Sequence, residues 1–285
     1  MSEKMKCEYF TDFIQAHVEK SDPNRIYIDK LMTRKMVSEC SVSLPEIYFE
    51  KDSIDDVDFS TLPDPVVLKL SNLASKRGVF ILYRVRGGYF EQLRGRLMSQ
   101  EEVVSLLKGV FKKNKSKVIA EELVQGENGP LEIPFDYKLF VFDGRVELVE
   151  QVNRNTPMDE LAFFDGEFDP LEGGKVMVQK KHTKSGKHIR PKNCKELLRL
   201  AKGISIKINR PFIRVDVYTT GEKVYVGELT PTPGGAYFGN LFRFSDGFDK
   251  YLGGKMVSGY IKRGWTIPEI EKMPPARRKR VKNFI

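Results

Sequence analysis

The stretch Phe212-Ile213-Arg214-Val215-Asp216-Val217-Tyr218 is followed, after a short turn, by Val224-Tyr225-Val226-Gly227-Glu228-Leu229-Thr230. Both runs are rich in β-branched residues and bounded by turn residues, so they read as the two strands of a hairpin. Side chains alternate between faces along a strand. Arg214 and Asp216 therefore share one face of the first strand, and Glu228 and Thr230 share one face of the second. A three-residue loop, 221–223, sets Asp216 opposite Glu228 and Arg214 opposite Thr230. Facing carboxylates repel unless a cation lies between them. Mg2+ suits the place, because it takes a few carboxylates and completes its octahedron with phosphate oxygens and water. Ile213, Val215, Val217 and Leu229 make the other face apolar, so the hairpin is expected to lie on a core. On these residues alone two readings stand: a metal-binding hairpin, or one whose carboxylates are merely solvated.

Three further elements precede the hairpin. Val66-Val67-Leu68-Lys69 reads as a buried strand that delivers a lysine towards the small, polar, basic loop 71–78. Backbone N–H groups of such a loop can cradle phosphate, although the spacing is neither a Walker A loop nor a dinucleotide fingerprint; a basic surface loop is the alternative. Residues 118–124 read as a strand that is either ordinary or an edge offering backbone N–H and C=O groups to adenine. Asp136-Tyr137-Lys138-Leu139-Phe140-Val141-Phe142, Asp143-Gly144 and the following strand make a hairpin, since Asp-Gly suits a turn with two positive φ values. Lys138 and Asp136 share a face with Phe140 and Phe142, so Lys138 either snorkels or meets an anion; Arg154 lies just beyond.

Around these elements the pattern is one of strands in hairpins with helices interspersed. Helices are expected over 28–38, over 99–113 with Ser99 and Glu102 as a capping box, and over 193–202 with Asn193 as N-cap. This order predicts an α+β fold with antiparallel sheets rather than a doubly wound parallel sheet. Lys and Arg number 48 against 39 Asp and Glu, an excess that favours anionic partners; part of it is the run 277–282. The three cysteines (Cys7, Cys40, Cys194) lack metal-site or disulfide spacing. His17, His182 and His188 are expected at the surface rather than in catalysis. The first residues lack a signal-peptide core and no apolar run approaches about 20 residues, so a soluble cytoplasmic protein without a transmembrane segment is expected.

Taken together and in this order, the elements resemble the ATP-grasp superfamily. More closely, the chain resembles its teichuronopeptide-biosynthesis (TupA-like) family. The resemblance rests on Asp29-Lys30 with Arg34, Leu62-Pro63 through Lys69, residues 136–144, Phe163-Phe164-Asp165, and Gly227-Glu228-Leu229-Thr230 with Pro233-Gly234-Gly235. It implies two α+β lobes gripping ATP, divided as an N-terminal segment 1–61, a small lobe 62–123 and a large lobe 124–285. It further implies ATP contacts from Lys69, Ser75, Lys76, Gly78 and Lys138, with an adenine hinge at Glu121, Glu122, Leu123 and Val124. One or two Mg2+ ions, or Mn2+ in their place, would be held by Asp216, Glu228 and Thr230. Arg214, with Lys138, would stabilise the transferring phosphoryl group, and Arg154 and Asp136 would face the acceptor. The superfamily commonly has Asn where this chain has Thr230, and several glycines where it has only Gly78.

The activity so implied is a carboxylate–amine ligase working through an acyl phosphate, in cell-surface polysaccharide or polymer biosynthesis. Its partners would be a nucleotide, an acidic small-molecule or glycan acceptor, and an amine donor such as an amino acid; nucleic acid is not expected. A kinase acting on a sugar or other hydroxyl shares the ATP half of the site, with Asp136 or Asp165 as the base. A non-catalytic binder of anionic polymer is the third reading.

Overall fold

A computed structural model of the chain describes residues 4–73, 78–112, 116–127, 129 and 131–271. Ser75, Lys76 and the basic run 277–282 lie outside the described residues. The chain begins with β1 (Lys4–Lys6), α1 (Phe10–Val18) and α2 (Lys30–Val37). α1 was not expected, yet its buried Phe10, Phe13 and Ile14 follow helical spacing. Asp29 caps α2, its carboxylate accepting from the Met32 N–H at 2.8 Å.

β2 (Ile47–Lys51), β3 (Val66–Leu70), β4 (Val79–Val85), β5 (Gly88–Glu91), β6 (Arg96–Met98) and β7 (Val118–Glu121) form an antiparallel sheet in the order β2-β7-β3-β4-β5-β6. α3 (Gln100–Val110) shares an apolar core with it, where Val103 and Leu107 join Leu68, Leu70, Phe80, Leu82 and Val118. Ser99 caps α3, accepting from the Glu102 N–H, but Glu102 turns its carboxylate to Arg96 at 2.5 Å, so half of the expected capping box forms. β2 precedes residue 62, so this sheet draws on the N-terminal segment. The division into 1–61, 62–123 and 124–285 is a proposal.

The second sheet runs β12-β10-β9-β8-β13-β14. Its strands are β8 (Asp136–Phe142), β9 (Arg145–Asn153), β10 (Glu160–Phe164), β12 (Lys184–Ser185), β13 (Phe212–Thr219) and β14 (Val224–Thr230). Only β12, which is parallel to β10, departs from antiparallel pairing. Asp143 (φ 47°) and Gly144 (φ 85°) make the expected tight turn between β8 and β9. α4 (Cys194–Ile208) packs against Leu139, Val141, Val149, Ile213, Val215, Val217 and Leu229 on one face. Asn193 does not cap it, because its amide donates to Thr219 Oγ1 at 2.8 Å instead.

The other face is shared. Phe140, Phe142, Phe163 and Phe212 pack against α1 and against α6 (Asp246–Lys262), while the ends of the same strands carry charge. α5 (Gly234–Phe238), the β11 (Val176–Val178) and β15 (Phe242–Phe244) pair, and β16 (Glu269–Glu271) against β1 complete the fold. No described helix is long and apolar enough to cross a membrane. The expected α+β class with antiparallel sheets is the class the chain adopts.

Candidate active site

Two bulges bring the charged residues together. Asp216 faces Glu228 and Arg214 faces Thr230, as the sequence predicts, but by a different route. The β13–β14 ladder begins at Thr219 opposite Val224, so the connecting turn spans four residues rather than three. Continued evenly, that register sets Gly227 against Asp216. The ladder instead shifts by one between Asp216 and Val217, which leaves Gly227 as the extra residue and returns Glu228 to Asp216.

Gly227 is required there, since a Cβ would sit 2.6 Å from the Tyr218 ring. Gly227→Ala is therefore expected to cost about 1–3 kcal/mol, the usual range for overpacking. Thermal denaturation checks this. Measured in a Tyr218→Ala background, the same substitution should cost little, because the ring that the new methyl meets is gone.

The second bulge lies between Phe140 and Val141 and moves the β9 register by one, setting Glu150 opposite Lys138. An even hairpin through Asp143-Gly144 sets Val149 there. This is why Glu150 is absent from the residues expected from sequence, although it is only 4% exposed and lies within the cluster. Register through the turn was the available signal, and the bulge conceals it.

At the centre is Asp216, 3% exposed. Its Oδ1 accepts from Arg214 Nε at 2.6 Å, and its Oδ2 accepts from Arg214 Nη2 at 2.7 Å and Lys138 Nζ at 2.6 Å. Arg214 Nη2 also donates to Thr230 Oγ1 at 3.0 Å. Lys138 reaches Asp136 at 3.4 Å, and Arg154 pairs with the same carboxylate. Burial alone raises Asp216 and Asp136, but the charges of Arg214 and Lys138 on the first, and of Arg154 and Lys138 on the second, hold both carboxyls below the usual range. Burial alone lowers Lys138, which Asp136 and Asp216 outweigh, so it stays protonated. Glu150 is raised, mainly by burial. Glu228 is half-buried and forms no ion pair with a described residue.

The small-sheet side of the site has its own pair. Lys69, 8% exposed, is bound by the Glu121 carboxylate from the neighbouring strand. Arg34 Nη1 approaches the same carboxylate at 3.9 Å. The Glu122 N–H is committed to the Glu46 carbonyl at 2.8 Å. Of the expected hinge, Leu123 and Val124 keep backbone groups that bond no other described residue. Gly78 (φ 64°) closes the β3–β4 connection, its carbonyl accepting from the Leu70 N–H. α2 ties the two sheets. Thr33 Oγ1 accepts from the Leu229 N–H at 3.1 Å, and the Lys30 N–H donates to the Ser71 carbonyl at 3.1 Å.

A divalent ion caged by protein alone needs several ligating side chains. Among the described residues no group of three or more His, Cys, Asp or Glu side chains could hold one. Two facing carboxylates, with Thr230 as a neutral oxygen, suit instead a Mg2+ ion that takes its remaining ligands from phosphate and water.

Residues 13–257 match the sequence pattern of the TupA-like ATP-grasp family. The chain belongs to that family. The TupA-like chain has the ATP-grasp fold, as its resemblance implied. No curated protein matches it. Among solved structures it is similar to D-alanine–D-alanine ligase from Bacillus anthracis complexed with ATP, at 16% identity over 82% of this chain and 64% of that one, with a TM-score of 0.48. The Helicobacter pylori D-alanine–D-alanine ligase gives 14% identity, coverage of 81% and 57%, and a TM-score of 0.47. An L-amino acid ligase from Bacillus licheniformis gives 15%, 73%, 41% and 0.42. The TupA-like chain spans less than two thirds of the length of each.

Proposed function

We propose that this TupA-like ATP-grasp protein is an ADP-forming carboxylate–amine ligase that uses Mg-ATP. The observation that carries the reading is the facing pair Asp216 and Glu228, set in register beside the half-buried cations Lys138 and Arg214. Such an arrangement binds polyphosphate and metal at once. Bound Mg2+ would be held by Asp216, Glu228 and Thr230 and would neutralise charge on the phosphate oxygens.

The remaining work falls to the protein's own side chains. Lys69, Gly78 and Lys138, with Ser75 and Lys76 beyond the described residues, hold the nucleotide. Glu121 positions Lys69, and the freely disposed backbone of Leu123 and Val124 faces the adenine edge. A carboxylate oxygen of the acceptor attacks the γ-phosphorus, the bond to the bridging oxygen breaks, and ADP leaves. Arg214 and Lys138 stabilise the charge that gathers on the transferring group. An amine then attacks the acyl carbon, phosphate departs, and the amine gives up a proton. Arg154 and Asp136 border the acceptor side.

The kinase alternative needs a base for a hydroxyl. Asp136 is poorly suited, because Arg154 and Lys138 keep its carboxyl below the usual range. Asp165 is occupied as a turn former, its Oδ1 accepting from the N–H groups of Glu167 at 2.8 Å and Asp169 at 3.0 Å. A mere binder of anionic polymer has no need of a carboxylate as buried as Asp216, paired with two cations. We place the enzyme in the cytoplasm, making cell-surface polymer from an acidic acceptor and an amino acid. The test is a screen of ADP release against uronic acids, amino acids and sugars, with amide formation followed by mass spectrometry. ADP release that needs only a hydroxyl acceptor and yields no amide overturns the ligase reading.

A further inference from the structure

We infer that the cleft between α1, α6 and the start of β13 is a second binding site, one for a free α-amino acid with a small side chain. Its walls come from α1 and the residues after it, from Arg210 and Pro211 ahead of β13, and from Trp265 beyond α6. The empty volume is about 410 Å³ counted to the mouth, but water-sized spheres can place their centres in only about 40 Å³ of it. A water needs about 10–15 Å³ by that measure, so the occupant has a few heavy atoms and is no nucleotide. Phe212, on the wall, precedes Asp216 by four residues of one strand, about 13 Å at the usual rise. The cleft is therefore separate from the facing carboxylates. Pro231, also on the wall, directly follows Thr230, so an occupant touches the chain as it leaves the hairpin.

Of the residues that line the cleft, Asp22 and Arg210 carry charge, and neither has its opposite. Arg210 lies with its guanidinium carbon 5.0 Å from the centre of the Trp265 ring, and its Nη1 donates to the Asn24 carbonyl at 2.8 Å. Asp22, 4% exposed, accepts from the Asn24 N–H at 2.8 Å through Oδ1 and from the Tyr260 hydroxyl at 2.5 Å through Oδ2. These partners are all neutral. Among the described residues no carboxylate lies within ion-pair distance of Arg210, and no cation within that distance of Asp22, although Asp22 acts on Arg210 through space. Burial lowers Arg210, and the charge of Asp22 does not outweigh it. Burial also lowers His17 on the same wall, which is thus chiefly neutral at pH 7. A guanidinium has five N–H donors and each carboxylate oxygen two lone pairs, so both groups keep room for a ligand. A simple anion satisfies Arg210 and leaves Asp22 alone; a simple amine does the reverse. An α-amino acid carries both charges on one carbon and meets both side chains through charge-assisted bonds, the strong kind. Phe13, Ile14 and Met256 offer apolar wall to its side chain.

Trp265 is the only tryptophan in the chain, so its fluorescence reports on the cleft directly. The test titrates L-alanine, acetate and methylammonium into the whole protein without nucleotide, with calorimetry beside fluorescence in case the ring is silent. Alanine is expected to bind saturably, and acetate and methylammonium roughly 10- to 100-fold more weakly, the scale of losing one charged hydrogen bond. Arg210→Gln and Asp22→Asn should each weaken alanine by a similar factor; the asparagine keeps an acceptor for the Tyr260 hydroxyl. Acetate or methylammonium binding as tightly as alanine overturns the inference, the former leaving a plain anion site. So does alanine affinity that both variants leave unchanged, or no alanine binding by either readout. If Asp22→Asn does not fold, Arg210→Gln decides: alanine should then bind no better than methylammonium, and a preference that persists overturns the inference. Nothing in this test requires Mg-ATP, so its outcome is independent of the ligase reading above.

Discussion

Asp216→Asn is expected to lower ADP formation by about 10²- to 10³-fold or more, the scale of losing a preorganised charge contact at a phosphoryl-transfer site. It should also raise the Mg2+ concentration needed for half-maximal nucleotide binding. Asp216 does two things at once: it opposes Glu228 across the strand pair, and it accepts three hydrogen bonds from Arg214 and Lys138. The amide keeps the shape and one acceptor oxygen but loses the charge that a metal needs.

Asp136→Asn is the control. It also takes a carboxylate from Lys138, yet it leaves the pair with Glu228 untouched. Its half-saturating Mg2+ should stay within about threefold, a shift under 1 kcal/mol. A half-saturating Mg2+ for Asp216→Asn that stays within the same threefold of the unmutated protein would show that Asp216 is not a metal ligand. The variants should differ from the unmutated protein in acid as well. The Asp216 carboxyl is depressed by its cations, so its contribution to stability is complete above the unfolded value of about 4 and fades as pH falls through the lower folded value. The Asp216→Asn variant lacks that limb in a thermal denaturation series.

The hairpin shows why part of this site was legible in sequence. Alternation alone places Arg214, Asp216, Glu228 and Thr230 on one face, and it does so whatever the turn, because the carboxylates are charged and the opposite face is apolar. The turn itself is invisible to that logic. The sequence suggests three residues where there are four, and the error cancels only because Gly227 bulges. At β8–β9 a bulge works the other way and brings in Glu150 unannounced. The side-chain pairings were beyond reach for a different reason. Lys69 with Glu121 and Arg154 with Asp136 join residues 52 and 18 apart in the chain, and pairing at that range depends on strand order and loop path. α1 was missed although its spacing is helical, whereas α4 was anticipated but with a cap that its Asn193 does not provide.

Glu121→Leu is expected to cost about 3–5 kcal/mol of stability, as breaking a buried ion pair does. The reason is what remains behind. Lys69 is 8% exposed and takes its counter-charge from Glu121, and Arg34 loses its nearest carboxylate too. Removing both partners is a different matter. Lys69→Met with Glu121→Leu leaves no uncompensated charge from the pair, so the double variant should recover most of the loss.

Nucleotide separates this account from a packing defect. If Lys69 is a phosphate ligand, polyphosphate supplies the charge that Glu121 no longer does. Mg2+ with a non-hydrolysable ATP analogue should then raise the melting temperature of Glu121→Leu by more than it raises that of the unmutated protein, and should barely move the double variant. A void left by Glu121 would respond equally little in every case. A uniform analogue-induced shift across the three proteins would therefore remove Lys69 from the nucleotide site and leave its pair with Glu121 as a structural clasp between β3 and β7.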